Sequence, residues 1–127
     1  MSKGIFLGIG LFLFVILAAV SSQIYMKQTM TDLNKYIISA ETHMKAGDTE
    51  ATKTDIKNFR TRFEKSGPIL KLFIRHQELE VLKINSSPLI SFIDTGSKGE
   101  FLSECDKLSA QIDHIVESDE INLENIV

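Results

Sequence analysis

The hydrophobic pattern divides the chain into two parts. Residues 4–26 contain no charged side chain, and every residue from Gly4 to Val20 is apolar or glycine. As an α-helix this window spans about 34 Å, while the hydrocarbon core of a bilayer is roughly 30 Å thick. Charged residues appear only after it, mixed with apolar residues at helical spacing. The pattern predicts a membrane-spanning segment within residues 1–26 and a separate domain in residues 27–127.

The apolar segment has two alternative fates. A secretory signal needs only about 7–15 apolar residues and a small-x-small cleavage site, and Ala19-Val20-Ser21 fits such a site. Three features favour retention instead. The apolar core is long, Tyr25 lies where an interfacial aromatic residue is expected, and no helix breaker follows the run. We therefore expect a retained signal-anchor, with cleavage as the alternative.

Orientation and helix packing follow from a few residues in the anchor. Lys3 and the free amino terminus favour an N-terminus inside the cell, which places residues 27–127 outside the cytoplasm at the cell membrane. Gly4 and Gly8 form a GxxxG spacing, which lets two membrane helices approach closely. This spacing is compatible with a homodimer or a membrane-protein partner, and the alternative is two ordinary glycines in a membrane helix.

Residues 27–127 show helical periodicity throughout. Apolar residues recur at spacings of three and four in four runs: Leu33 to Met44, Ile56 to Phe63, Ile69 to Leu82, and Leu102 to Ile115. Gly47 ends the first run, Ser66-Gly67-Pro68 predicts a stop and a restart, and residues 95–99 predict a loop. Pro88 either kinks a helix or ends it. No stretch alternates with period two, so we predict no strands.

The two halves of this domain match at an offset of 49 residues. Gly47 matches Gly96, and Leu33 matches Leu82. Either a helical hairpin was duplicated, or two amphipathic hairpins have similar lengths. Both alternatives predict the same fold class: all-α, with an N-terminal transmembrane helix followed by a small antiparallel bundle of two helical hairpins.

The charge distribution adds one candidate surface. The net charge is −3, but residues 27–75 carry ten basic and six acidic side chains, and residues 76–127 carry three and eleven. Lys53, Lys57 and Arg60 share one helical face, which could contact lipid headgroups or anionic wall polymers. The alternative is the solvated side of an amphipathic helix. No nucleic acid is expected as a partner outside the cell.

Candidate catalytic chemistry is sparse. His43, His76 and His114 are too widely spaced to form a familiar zinc motif. Cys105 occupies an apolar-stripe position, and a single cysteine cannot form an internal disulfide. No phosphate-binding loop, nucleophile elbow or metalloprotease motif is present. We therefore predict no catalytic, cofactor-binding or metal-binding residues and no enzyme, the competing hypothesis being an enzyme that uses a histidine or Cys105.

Three segments carry a family resemblance: the N-terminal anchor, "RHQELEVLKI" and "QIDHIVESDEINLENIV". The last contains His114, Ile115, Glu120, Leu123, Glu124, Asn125 and Ile126. Together they resemble a family of small Gram-positive bacterial membrane-anchored proteins, the domain of unknown function family 4363. The resemblance implies an all-helical accessory protein of the cell envelope that serves a membrane or envelope partner. It brings no catalytic residues. The alternative within binding is an extracytoplasmic small-ligand sensor domain.

Overall fold

The computed structural model describes the backbone of residues 2–126 and the side chains of residues 2–118. Residues 2–126 form five helices: α1 (Ser2–Lys45), α2 (Thr49–Leu70), α3 (His76–Ser86), α4 (Leu89–Asp94) and α5 (Lys98–Ile126). The described residues contain no strand, so the all-α prediction is confirmed. The acidic side chains at Asp119, Glu120 and Glu124, and those of the resemblance beyond residue 118, lie outside the described residues.

Helix α1 is continuous across the predicted boundary at residue 26. Its 44 residues correspond to about 66 Å of helix. Residues 2–21 are exposed on every side, whereas from Met26 onward one face is buried. The exposed part is long and apolar enough to cross a membrane, and a signal sequence has the same properties. A helix that is apolar all round needs lipid or protein to cover it.

The second half of α1 belongs to an antiparallel bundle. Helix α1 packs against α2 and α5, α4 packs against α2 and α5, and α3 packs against α5. Two hairpins result, α1–α2 and α3/α4–α5, as the periodicity predicted. They enclose one core, formed by Met26, Met30, Leu33, Ile37, Ala40, Ile56, Phe59, Leu70, Ile74, Leu79, Leu82, Leu89, Ile93, Phe101, Cys105, Leu108, Ile112 and Ile115.

The two hairpin turns have the same geometry. Gly47 (φ +79°) and Gly96 (φ +69°) adopt the left-handed conformation that ends a helix in a Schellman motif. The bonds that close the turns are equivalent, from Asp48 N–H to the His43 carbonyl and from Ser97 N–H to the Phe92 carbonyl, each 2.9 Å long. The offset of 49 residues is therefore a structural repeat.

Burial follows the same offset. Between residues 30 and 66, the buried positions of the first hairpin have buried counterparts in the second, among them Met30 and Leu79, Leu33 and Leu82, Ala40 and Leu89, Ile56 and Cys105, and Phe59 and Leu108. The apolar spacing that aligned the halves in sequence thus corresponds to the core of each hairpin.

The two prolines behave differently. The stop predicted at Ser66-Gly67-Pro68 is wrong, because α2 continues to Leu70 with Pro68 inside its last turn. The helical run predicted from Ile69 to Leu82 is wrong as well, because residues 71–75 form a loop between α2 and α3. Proline removes the N–H that would bond the Glu64 carbonyl, but Glu64 is solvent-exposed, so water can satisfy this oxygen. Since less than one turn of α2 remains after Pro68, the loss of one bond is tolerated.

Pro88 separates α3 from α4, which resolves the alternative between a kink and an end. Helix α3 ends at Ser86, and α4 begins at Leu89. The Ile84 carbonyl lacks the N–H that residue 88 would normally donate, and the Ser87 hydroxyl donates to it instead (2.9 Å). The break is thus compensated locally by a serine side chain.

The shared turn geometry predicts a selective cost of adding a methyl group. Gly96→Ala should destabilise the protein by about 1–2 kcal/mol, because an L-residue is strained at positive φ. No atom lies near the new Cβ at Gly96 or at Gly99, which lies in α5. Gly99→Ala is therefore the matched control and should leave the stability unchanged or raise it. Thermal unfolding of the full chain in detergent measures both, and equal melting temperatures would contradict the expectation.

Candidate functional site

A large cavity lies between α2 and α3. Helix α2 packs on α1, and α3 packs on α5, so these two helices face each other across a gap. The gap is a groove of about 520 Å³, within the range of roughly 300–1,000 Å³ typical of ligand pockets. We call it the α2–α3 groove.

The α2–α3 groove combines an apolar floor with a charged rim. Phe59, Phe63 and Leu79 line it, and the two phenylalanine rings stack with centroids 6.1 Å apart. The charged and titratable residues that line it are Arg60, Glu64, Lys71, His76, Glu80 and Lys83. The rim therefore carries three cations and two carboxylates, so its net charge is positive even when His76 is left out.

Most of these rim charges are available to a ligand. Among the described side chains, Glu64, Lys71, Glu80 and Lys83 form no ion pair, and all four are exposed. Arg60 is the exception, since its guanidinium donates to the Ser87 carbonyl (3.0 Å) at the end of α3. This bond joins α2 to α3 at the upper end of the groove, which is the end farther from the apolar segment.

The groove lies in the half of the bundle nearest the apolar segment. The Arg62 guanidinium lies 5.7 Å from the Tyr25 ring centroid, 3.4 Å from the Thr29 hydroxyl and 3.5 Å from the Asp32 carboxylate. Helix α2 runs antiparallel to α1, so Lys71 lies about 13 Å further toward the apolar run. The lower end of the groove, at Lys71, is therefore level with the end of that apolar run.

Comparison with family models matches residues 20–126 to the domain of unknown function DUF4363. The chain belongs to the DUF4363 family. The match covers both hairpins and the α2–α3 groove, and it confirms the resemblance carried by the C-terminal segments. Comparisons with curated proteins and with solved structures give no match.

The basic face predicted on the DUF4363 chain is partly engaged within the fold. Lys53 pairs with Asp94 of α4 (2.8 Å), and the hydrogen bond and charge of that carboxylate raise the pKa of the lysine. Arg60 bonds the Ser87 carbonyl, and Lys57 is exposed. Contact of this face with an anionic surface stays a prediction, and two of its three cations already join α2 to the second hairpin.

The predicted membrane-helix glycines lie on an open surface. Gly4 and Gly8 have no atom within 4 Å of a built Cβ, and the helix around them is exposed. The surface would admit a second helix. Helix packing through these glycines stays a prediction.

A polar cluster that the sequence analysis missed joins α1 to α2. The Asp55 carboxylate accepts hydrogen bonds from the Ser39 hydroxyl (2.9 Å) and from His43 Nδ1 (2.6 Å) through the same oxygen, Oδ2. Its composition matches a catalytic triad, but its geometry differs, because the serine donates to the carboxylate rather than to a histidine base. The cluster instead fixes the register of the first hairpin near its turn.

The surroundings of Cys105 make its thiol unreactive. Burial, followed by the charges of Glu41, Asp106 and Glu104, raises the pKa of its thiol to about 12. The thiol therefore stays protonated at neutral pH and lacks the thiolate that nucleophilic chemistry requires. His76 lies at the groove and His114 is exposed, and no three candidate metal ligands converge among the described residues.

A carboxyl pair links α1 to α5. Burial, a hydrogen bond to Asp106 and the charge of Asp106 raise the pKa of Glu41 above its usual 4.5, while Lys45 opposes the shift. The folded state therefore binds a proton at Glu41 more tightly than the unfolded chain does. Stability gained from this proton is present at low pH and is lost as the pH rises from 4.5 through the raised pKa.

This pair predicts a pH-dependent effect of Glu41→Gln. At neutral pH the substitution should raise the melting temperature, because it removes a carboxylate that is costly to ionise in the folded state. The pair is partly exposed, so the rise should be modest, under about 4 °C. The difference from wild type should vanish below pH 4.5, where Glu41 is protonated in both states. A difference that persists at low pH would contradict this explanation.

Proposed function

We propose that this DUF4363 chain is a single-pass, membrane-anchored binding module without catalytic activity. Its N-terminus lies inside the cell, its helical bundle lies outside the cytoplasm, and it holds a membrane or envelope partner in the α2–α3 groove. The observation that carries the proposal is the groove itself, an apolar floor bordered by charged side chains that have no ion-pair partner among the described residues. Such a combination is typical of binding surfaces.

The chemistry of the groove suggests what the partner presents. Phe59, Phe63 and Leu79 favour an apolar side chain, and the positive excess on the rim favours neighbouring acidic groups. The lower end of the groove is level with the end of the apolar run of α1. An extracytoplasmic segment of a membrane protein, apolar and acidic in composition, would fit this position.

A small-ligand sensor is the second candidate. The groove volume of about 520 Å³ suits a small organic molecule. An anionic ligand with an apolar body would use the same floor and rim. The two candidates differ in the mass of the bound species, which the crosslinking experiment below reports.

The proposed orientation predicts the reactivity of introduced cysteines. In intact cells a membrane-impermeant maleimide should label Thr49→Cys, at the outer turn, and should not label Ser2→Cys until the membrane is opened. Cys105 gives little background, because it is fully buried and its thiol stays protonated. Labelling of Ser2→Cys in intact cells would contradict the orientation. A mature protein that begins near Ser22 would show that the segment is a cleaved signal.

The groove predicts a position-dependent crosslink. A photoreactive phenylalanine analogue at Glu64, on the rim, should crosslink one species in living cells, whereas the same analogue at Ile38, exposed near the outer turn, should not. Adding Lys83→Glu should lower the yield by about tenfold, because a cation on the rim becomes an anion.

Lys98→Glu is the matched control for that charge reversal. It makes the same change at the start of α5, far from the groove, and should leave the yield unchanged. Both lysines are exposed, so both variants should keep the melting temperature of the parent. An equal yield from the Glu64 and Ile38 positions, or no effect of Lys83→Glu, would contradict binding in the groove.

A further inference from the structure

The segment that joins α2 to α3 has an unusual composition. Residues 65–77 contain Lys65, Lys71 and Arg75 and no acidic residue. The segment also holds five large apolar side chains in six positions from residue 69 to residue 74. Basic and apolar residues in one short surface segment are typical of protein regions that bind the membrane interface.

Two of these apolar side chains are buried in the core of the bundle, and another is exposed. Leu70 and Ile74 are buried in the core, whereas Leu72 is 75 % exposed and its neighbour Ile69 is 37 % exposed. Lys71 and Arg75 are exposed beside them. Leu72 is among the most exposed large apolar residues of the described chain, comparable to those of the apolar part of α1.

The backbone hydrogen bonds of residues 71–75 keep the Leu72 side chain directed toward solvent. Consecutive short-range hydrogen bonds run through this loop, from Leu72 N–H to the Ile69 carbonyl (3.1 Å) and from Ile74 N–H to the Leu70 carbonyl (2.9 Å). Because Leu70 and Ile74 are fixed in the core, the loop cannot easily turn Leu72 inward. Its exposure is therefore a property of the fold.

The loop lies at the height where the apolar surface of α1 ends. Arg62 contacts Tyr25, Thr29 and Asp32 of α1. Leu72 follows Arg62 by ten residues in the antiparallel direction, or about 15 Å if the helical rise is kept. This places Leu72 beside the last turns of the apolar run, which ends at Val20.

We infer that the α2–α3 loop rests on the membrane that α1 spans, with Leu72 inserted among the lipids and Lys71 and Arg75 on anionic headgroups. The inference rests on the anchored orientation proposed above. An amphipathic segment of this kind enters the headgroup boundary by about 5–10 Å, and anionic lipid phosphates complement the two cations. Lys71 also lines the α2–α3 groove, so the contact would hold the groove against the headgroup layer.

The absence of tryptophan from the sequence allows a direct test. The full chain is reconstituted in bilayers of phosphatidylcholine and phosphatidylglycerol. The phosphatidylcholine is brominated near the headgroup end of its acyl chains in one sample, to report on Leu72→Trp, and near the chain ends in another, to report on Phe12→Trp. Three single-tryptophan variants are compared: Leu72→Trp in the loop, Phe12→Trp in the apolar part of α1, and Ile84→Trp on α3. All three parent side chains are more than half exposed, so none of the substitutions disturbs the core.

The three positions separate failure of the loop contact from failure of the anchor. We expect bromine to quench on the order of half of the Leu72→Trp emission, as suits insertion at the headgroup boundary. Ile84→Trp should be unquenched, and Phe12→Trp should be quenched if α1 spans the bilayer. An unquenched Leu72→Trp beside a quenched Phe12→Trp would overturn the loop contact alone. An unquenched Phe12→Trp would overturn the anchored orientation and the loop contact together.

The electrostatic part has its own variants. In the Leu72→Trp background, Lys71→Gln and Arg75→Gln should each reduce the ratio of inserted to withdrawn loop by about fivefold in anionic bilayers. Lys98→Gln, which removes the charge of an exposed lysine at the start of α5, should have no effect. Quenching that survives both loop substitutions unchanged would overturn the headgroup contact.

Discussion

The structure depends on one helix that has two different surfaces. The first half of α1 is apolar on every side, and no described part of the chain covers it. The second half buries one face in the core of the bundle, beginning at Met26. Because no break separates the halves, whatever covers the first half also fixes the axis around which the second half is built. In the proposed anchored arrangement, the bilayer therefore sets the direction of the whole domain.

The groove follows from a difference between two otherwise equivalent hairpins. At the offset of 49 residues, Pro88 corresponds to Ser39, where α1 continues without interruption. The second hairpin instead has an arm in two pieces, of which α4 contacts α2 while α3 packs on α5. A helix without this break would be expected to pack along α2 as one piece. The proline thus explains the gap between α2 and α3 in an otherwise repeated architecture.

Periodicity predicted the hairpins because it reports burial directly. Residues at spacings of three and four, such as Leu33 and Ile37, share a helical face whatever the partner helix is. Gly47 and Gly96 marked the turns, since positive φ favours glycine. The groove could not be predicted from the sequence, because it depends on which helices pack together. The prediction at Pro68 was wrong for a related reason. The free-energy cost of a proline in a helix depends on how many turns follow it, and residue spacing alone does not reveal that number.

The polar contacts show the same limit. Ser39 and His43 lie four residues apart on α1, a pair that sequence can show, but their shared partner Asp55 follows only from the register of the turn at Gly47. Lys53 and Arg60 do share a face, as predicted, yet their partners Asp94 and Ser87 belong to the other hairpin. Contacts between distant segments of the chain cannot be inferred from charge and spacing within one helix.

The distribution of polar partners connects these contacts to the proposed function. The Ser39 proton is directed to Asp55, and the Cys105 thiol is buried and protonated. The charges on the groove rim and in the neighbouring loop, by contrast, have few partners among the described residues. Exposed apolar side chains occur beside them, at Ile69 and Leu72. The groove and the neighbouring loop therefore combine available charges with exposed apolar side chains at the end of the bundle next to the apolar helix, where the proposed membrane or membrane-protein partner would meet them.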